Sequence, residues 1–209
     1  MPFVKGDQSA KGRRVLAMID HYPTAEEMAK RIIKKEWPYS PENKEYYEAR
    51  DRALASLLFI GAIRISEARR LIKSQFKEDP FRVIGLKLSK AERHNKKGEI
   101  IVRKKLYRVE ILIPESEPLG IFGEYIHTYL DKIENEDAKL FPIKNSRIDQ
   151  IIKTKLGIPP HWLRAFGENL LYELFENDLI AAANYVQVDP RTFSLYVHRT
   201  PKRYLEKLK

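Results

Sequence analysis

The sequence predicts a mostly α-helical domain that carries one small antiparallel β-sheet. Three observations lead to this. Apolar residues recur at helical spacing through the first third of the chain and again from about residue 120 onward. Between residues 81 and 113 the spacing changes to alternation, as half-buried strands require. The stretch Leu54 to Ile60 is apolar at every position but Ser56, so its helix is enclosed on all sides and belongs at the centre of a helical domain.

The elements follow in order. Residues 1–20 carry Lys5, Lys11, Arg13 and Arg14 with little periodicity and read as a basic arm. Thr24 caps a first helix, with Glu27 at the reciprocal capping position and Met28, Ile32 and Ile33 as its apolar stripe. After a Pro-bearing break from Trp37 to Asn43, Ser40-Pro41-Glu42 opens the second helix, which Gly61 ends. Ile65 to Leu71 begins a third. Val83, Ile84, Leu86 and Leu88 read as one strand and Val109, Ile111 and Ile113 as another, with Ile100 to Val102 as a strand between them. The connection from Ser89 to Lys105 is a basic hairpin. Phe122, Ile126, Leu130 and Ile133 restore the helical period, and Glu134 to Ala138 is a loop. Ser146 caps a helix that Gly157 closes. Pro159-Pro160 leads into a helix with Leu163, Phe166, Leu170 and Leu174 on its apolar face. Asn177-Asp178 starts another, and Asp189-Pro190 starts the last.

Composition narrows the function. Lys and Arg total 39 against 29 Asp and Glu, a formal net charge of +10 over 209 residues. A basic surface suits a polyanionic partner, nucleic acid above all. The alternative is the ion-rich surface of a thermophile-type protein, since Lys, Glu and Ile are abundant. The absence of cysteine excludes disulfides, thiol nucleophiles and Cys-bound zinc. Five scattered histidines without a His-Glu-x-x-His pattern point to no metal. The first residues lack the pattern of a signal peptide, and the longest apolar run, Leu57 to Ile63, is too short to span a bilayer. The chain is expected to be soluble and cytoplasmic, with no membrane partner.

Three stretches carry candidate chemistry. In Gly61-Ala62-Ile63-Arg64-Ile65-Ser66-Glu67, Arg64 precedes a helix N-terminus, where free N–H groups add to its pull on an anion. In His161-Trp162-Leu163-Arg164, histidine and arginine share one helical face. Thr192-Phe193-Ser194-Leu195-Tyr196-Val197-His198 places Tyr196 32 positions beyond Arg164. These residue types suit phosphoryl transfer without a metal. A tyrosine attacks phosphorus and keeps the bond energy in a phosphotyrosine. Arginines clamp the phosphate through charge-assisted hydrogen bonds. A lysine protonates the leaving oxygen and a histidine assists.

Together these stretches resemble the catalytic domain of the tyrosine recombinases, the phage-integrase family. Gly61 to Glu67 is similar to the family's first arginine motif, Gly-x-Arg-x-x-Glu, with one extra residue before Arg64 or with Ala62 standing for the glycine. Arg50 to Phe59 looks like the helix that precedes it, and Thr192 to His198 resembles the family's ending. The resemblance covers roughly residues 20 to 200. It implies site-specific cleavage and rejoining of double-stranded DNA through a 3′-phosphotyrosine at Tyr196, by protomers that assemble on the DNA. It implies that Arg64 and Arg164 hold the phosphate, that Glu67 supports Arg64, and that His161 and Gln187 assist. Lys90 is favoured as the general acid, with Lys104 or Lys105 in that role if Ile100 to Val102 is the second strand. Lys87, Arg93, Lys96, Lys97, Lys104 and Lys105 are expected to meet the DNA backbone. No cofactor is implied.

The chain departs from the pattern in three places. Ala165 stands where the family commonly has a histidine after the arginine. Gln187, nine residues before Tyr196, stands where histidine or tryptophan is usual, and it donates a hydrogen bond but shuttles no proton. Residues 21–209 match only a catalytic domain, so the core-binding domain is expected to be absent. Tyr185, in an apolar helix, and Tyr204, in a basic tail, compete with Tyr196 and read as structural. Rival functions are a DNA-binding regulator on the same fold, a basic helical protein that binds RNA or a protein partner, and a type IB topoisomerase.

Overall fold

The computed structural model describes residues 25–34, 37, 39, 41–88, 92–94, 100–102, 107–115, 119–186, 190 and 194. The expected basic arm, the Thr24 cap and most of the segment from Ser89 to Lys105 lie outside the described residues. So does the last helix, apart from positions 190 and 194.

The helices are α1 (Ala25–Lys34), α2 (Lys44–Ile60), α3 (Ile65–Ala68), α4 (Gly120–Leu130), α5 (Asn145–Leu156), α6 (Pro160–Leu174) and α7 (Leu179–Tyr185). Between α3 and α4 come the strands β1 (Phe76–Lys77), β2 (Arg82–Lys87), β3 (Glu92–His94), β4 (Ile100–Val102) and β5 (Tyr107–Leu112). A mostly helical domain with a small antiparallel sheet is therefore the observed class.

Sequence and structure differ in four details. The sheet has the order β1-β2-β5, with Val83 opposite Ile111 and Leu86 opposite Arg108. β4 does not enter it. β5 already occupies the edge of β2 along its length, so β4 pairs with β3 in a separate two-stranded ladder. The helix expected from Ile65 to Leu71 stops at Ala68, where the chain turns through Arg69 into a bridge with Lys139 at Ile72. Helix α4 ends at Leu130, before Ile133. Ser146 is not a cap, because α5 starts one residue earlier at Asn145. The Gly157 stop is as expected, with φ of 76°, and Asp178 caps α7 by accepting from the Ile180 and Ala181 N–H groups at 2.9 and 3.0 Å.

The alternation of β2 breaks at Gly85. Its φ of 66° lets Val83 and Leu86, of opposite parity, both be buried. Their faces meet a core centred on α2, where every residue from Ala53 to Ile60 is buried. Phe59 meets Phe122 of α4 with ring centroids 5.3 Å apart. Leu163 and Phe166 of α6 close the same cluster. Each such side chain contributes about 1.5–3 kcal/mol by leaving water. Arg52 ties α1 to this centre. It donates to the Ile32 carbonyl and lies over the rings of Trp37 and Tyr125, 5.2 Å from each centroid.

Helix α6 approaches the end of α2 more closely than side chains allow. A Cβ on Gly167 would lie 1.8 Å from the Phe59 carbonyl oxygen and 3.5 Å from the Ala62 Cα. Backbone atoms cannot yield as a flexible side chain can, so only glycine fits. Gly167→Ala is expected to force the helices apart at a cost of about 3 kcal/mol, the upper end of overpacking penalties. For a chain of this length that lowers Tm by about 6–12 °C. Thermal denaturation checks it, and an unchanged Tm sinks it.

At the far end of α6, the Tyr185 hydroxyl accepts from the Leu112 N–H at 2.9 Å and pins α7 to β5. No described helix is long and apolar enough to cross a membrane.

Candidate active site

The α2 helix ends at Ile60, and the segment 61–64 leads into α3. Ala62 takes φ of 47°, the left-handed region that glycine enters most readily. The segment delivers Arg64 as the N-cap residue of α3. Glu67, one turn on and 2% exposed, reaches back. Its Oε2 accepts from the Arg64 backbone N–H at 2.7 Å and its Oε1 from Arg64 Nη1 at 2.9 Å.

Arg164 arrives from the other side. It lies three residues before Gly167, so the tight crossing of α6 on α2 carries it alongside the Arg64 turn. Arg164 Nη1 stands 3.8 Å from Glu67 Oε2. Its Nε donates to Glu168 Oε1 at 2.7 Å. Two arginines 100 positions apart in the chain therefore flank one buried carboxylate. Arg164 is 8% exposed and its Nη1 is buried without a hydrogen-bond partner.

Burial pushes the Glu67 carboxyl up, but Arg64, by its charge and its backbone hydrogen bond, and then Arg164 outweigh this and hold the pKa below the ordinary carboxylate value. A folded-state pKa below the unfolded one contributes stability above the unfolded pKa, and that contribution is lost as pH falls through the folded value. The protein is expected to lose stability on acidification below the usual carboxylate range. Glu67→Gln should flatten this limb in urea denaturation followed against pH. An identical acid limb in the variant would assign it elsewhere.

His161 is exposed on the first turn of α6, its ring 5.4 Å from that of Trp162. Neighbouring protein nevertheless desolvates the ring enough to lower its pKa, with Asp149 of α5 opposing and Lys153 reinforcing. Among the described contacts none joins His161 to either arginine. Lys87 is exposed at the end of β2, opposite Tyr107. Arg93 lies in β3 opposite Ile101, and its side chain is outside the described set. Lys90, Lys96, Lys97, Lys104, Lys105, Gln187 and Tyr196 also lie outside the described residues.

Sequence reasoning missed Glu168 and Gly167. The i,i+4 spacing of Arg164 and Glu168 was a readable signal for the first. Gly167 was legible only as a small residue in an apolar helix. A separate group, Glu78, Glu115 and His127, brings three possible metal-ligand atoms within 4.8 Å of one another, and shares no residue with the arginine cluster.

The helical body and the small sheet together have the fold of a tyrosine-recombinase catalytic domain. Among solved structures the chain is similar to XerA recombinase, with a TM-score of 0.59 and 19% identity over 90% of this chain and 64% of that one. It is also similar to XerH site-specific recombinase bound to its difH substrate. The pre-cleavage complex matches with a TM-score of 0.51 and 17% identity over 88% of this chain and 52% of that one. The post-cleavage complex on palindromic difH matches with a TM-score of 0.50 and 18% identity, covering 88% and 50%. At these identities the likeness is one of fold. The chain spans between half and two-thirds of the length of those recombinases. No family model and no curated protein matches it.

Proposed function

We propose that this chain is the catalytic part of a site-specific tyrosine recombinase. It cleaves and rejoins double-stranded DNA through a 3′-phosphotyrosine at Tyr196. One observation carries the reading: on this fold, Arg64 and Arg164 converge on Glu67. In this reading the two guanidiniums clamp the scissile phosphate and offset the charge that develops on its non-bridging oxygens. Tyr196 attacks phosphorus and the 5′ oxygen leaves with a proton from Lys90. His161 and Gln187 assist at the same phosphate. The basic residues Lys87, Arg93, Lys96, Lys97, Lys104 and Lys105 hold the DNA backbone. Protomers act together on the DNA, and residues 21–209 form the catalytic domain behind a basic arm. No metal or cofactor takes part.

A second reading is a DNA-binding regulator with weakened chemistry, favoured by Gln187 in place of a proton-shuttling side chain. The same experiment separates the two. The chain is incubated with a pool of nicked duplexes of varied sequence, in which cleavage releases a short strand and traps the intermediate. A denaturant-resistant, protease-sensitive adduct supports the recombinase. Binding that tightens as salt falls, with no adduct at any sequence, supports the regulator.

A further inference from the structure

We propose that Glu168 is a positioning residue that holds Arg164 by its Nε and so keeps Nη1, which has no hydrogen-bond partner, oriented for an anion. The proposal rests on the reading above, in which Arg164 takes a phosphate. Glu168 is 3% exposed and one helical turn beyond Arg164. Its Oε1 accepts from Arg164 Nε at 2.7 Å, a short, charge-assisted bond. A guanidinium is planar, so one bond at Nε fixes the plane in which both Nη groups lie. Of these, Nη1 is buried and has no hydrogen-bond partner, only a long ion pair with Glu67. The carboxylate oxygen it faces, Glu67 Oε2 at 3.8 Å, already accepts from the Arg64 backbone N–H. Glu67 thus holds Arg64, Glu168 holds Arg164, and the second arginine keeps a desolvated donor in reserve.

The charges lead to the same view. Two arginines and two carboxylates sum to a formal charge of zero, so an anion gains little from the net charge of this cluster. What it meets is an oriented N–H group that no protein acceptor satisfies. Loss of the Nε partner lets the guanidinium rotate, and misplacement of a clamping group by about 1 Å costs on the order of a hundredfold in rate. A side chain that only neutralised a buried arginine would behave differently. Its loss would lower stability and leave the rate of the folded fraction unchanged.

The test compares Glu168→Gln and Glu168→Ala in the full chain. Glutamine keeps a carbonyl acceptor for Nε and removes the charge, whereas alanine removes both. Single-turnover adduct formation on nicked DNA is measured at saturating protein and scaled to the folded fraction from circular dichroism. Positioning predicts a rate within about threefold of the unmutated chain for Glu168→Gln and about a hundredfold loss for Glu168→Ala, with DNA affinity retained. Equal rates in the two variants overturn the proposal. Because no adduct from the unmutated chain would instead sink the recombinase reading, the Arg164 Nε–H resonance is followed during titration with inorganic phosphate. A shift in the unmutated chain and in Glu168→Gln, lost in Glu168→Ala, supports positioning independently of cleavage. The same shift in all three, or none in any, overturns it.

Discussion

Tyr196→Phe is expected to bind DNA as tightly as the unmutated chain and to form no covalent adduct at all. The change removes one oxygen and leaves the ring. Nucleophilic attack needs that oxygen, and neither a lysine nor a histidine at the site yields the same phosphotyrosine. The loss should therefore be complete. Two companion variants make the result specific. Tyr185→Phe should keep the adduct, because the Tyr185 hydroxyl already serves the fold by accepting from the Leu112 N–H at 2.9 Å. Tyr204→Phe should keep it as well. Trapping on nicked DNA, read on a denaturing gel beside a binding titration, measures both quantities. An adduct that persists in Tyr196→Phe would move the nucleophile elsewhere and take the assignment with it.

Arg164→Ala should combine the largest loss of stability with a large loss of rate. Removing the guanidinium strands Glu168, whose Oε1 bonded Nε at 2.7 Å, and takes a cation from beside Glu67. Breaking one partner out of a buried ion pair costs about 3–5 kcal/mol, since the remaining charge stays desolvated. Pairing the change with Glu168→Leu removes the stranded charge and should recover part of that loss. A double-mutant cycle in urea therefore gives a strong positive coupling between the two positions. The rate behaves otherwise. Loss of one donor to a developing oxyanion lowers turnover by about 10²–10³-fold, and Glu168→Leu should not restore it. Denaturation midpoints and single-turnover adduct formation on the folded fraction separate the two effects. An Arg164→Ala chain as stable as the unmutated one contradicts the buried-pair geometry.

Much of the fold was legible from local patterns. The apolar run from Leu54 to Ile60 announced the central helix, because a stretch apolar at nearly every position has nowhere to lie but the middle. Alternation announced β2 and β5, and Asp178 and Gly157 announced a start and a stop, because caps answer to the neighbouring backbone alone. Other features escaped. Ile100 to Val102 is a strand as its composition suggests, yet composition does not name a partner, and that partner, β3, was not foreseen. The third helix was cut short where the chain at Ile72 pairs with Lys139, a distant segment that no window around residue 70 contains.

For the site, the sequence alone determined which groups were available. Arg64 had to stand at a helix N-terminus, and His161, Arg164 and Glu168 had to share a helix, since backbone periodicity fixes such relations over a few residues. Only the tertiary structure decided that Arg64 and Arg164 would meet. That depends on α6 crossing α2 at the one position without a Cβ, Gly167 against the Phe59 carbonyl. Close packing between remote segments is settled by the shape of both surfaces at once, and neither surface is written in the spacing of the residues that form it.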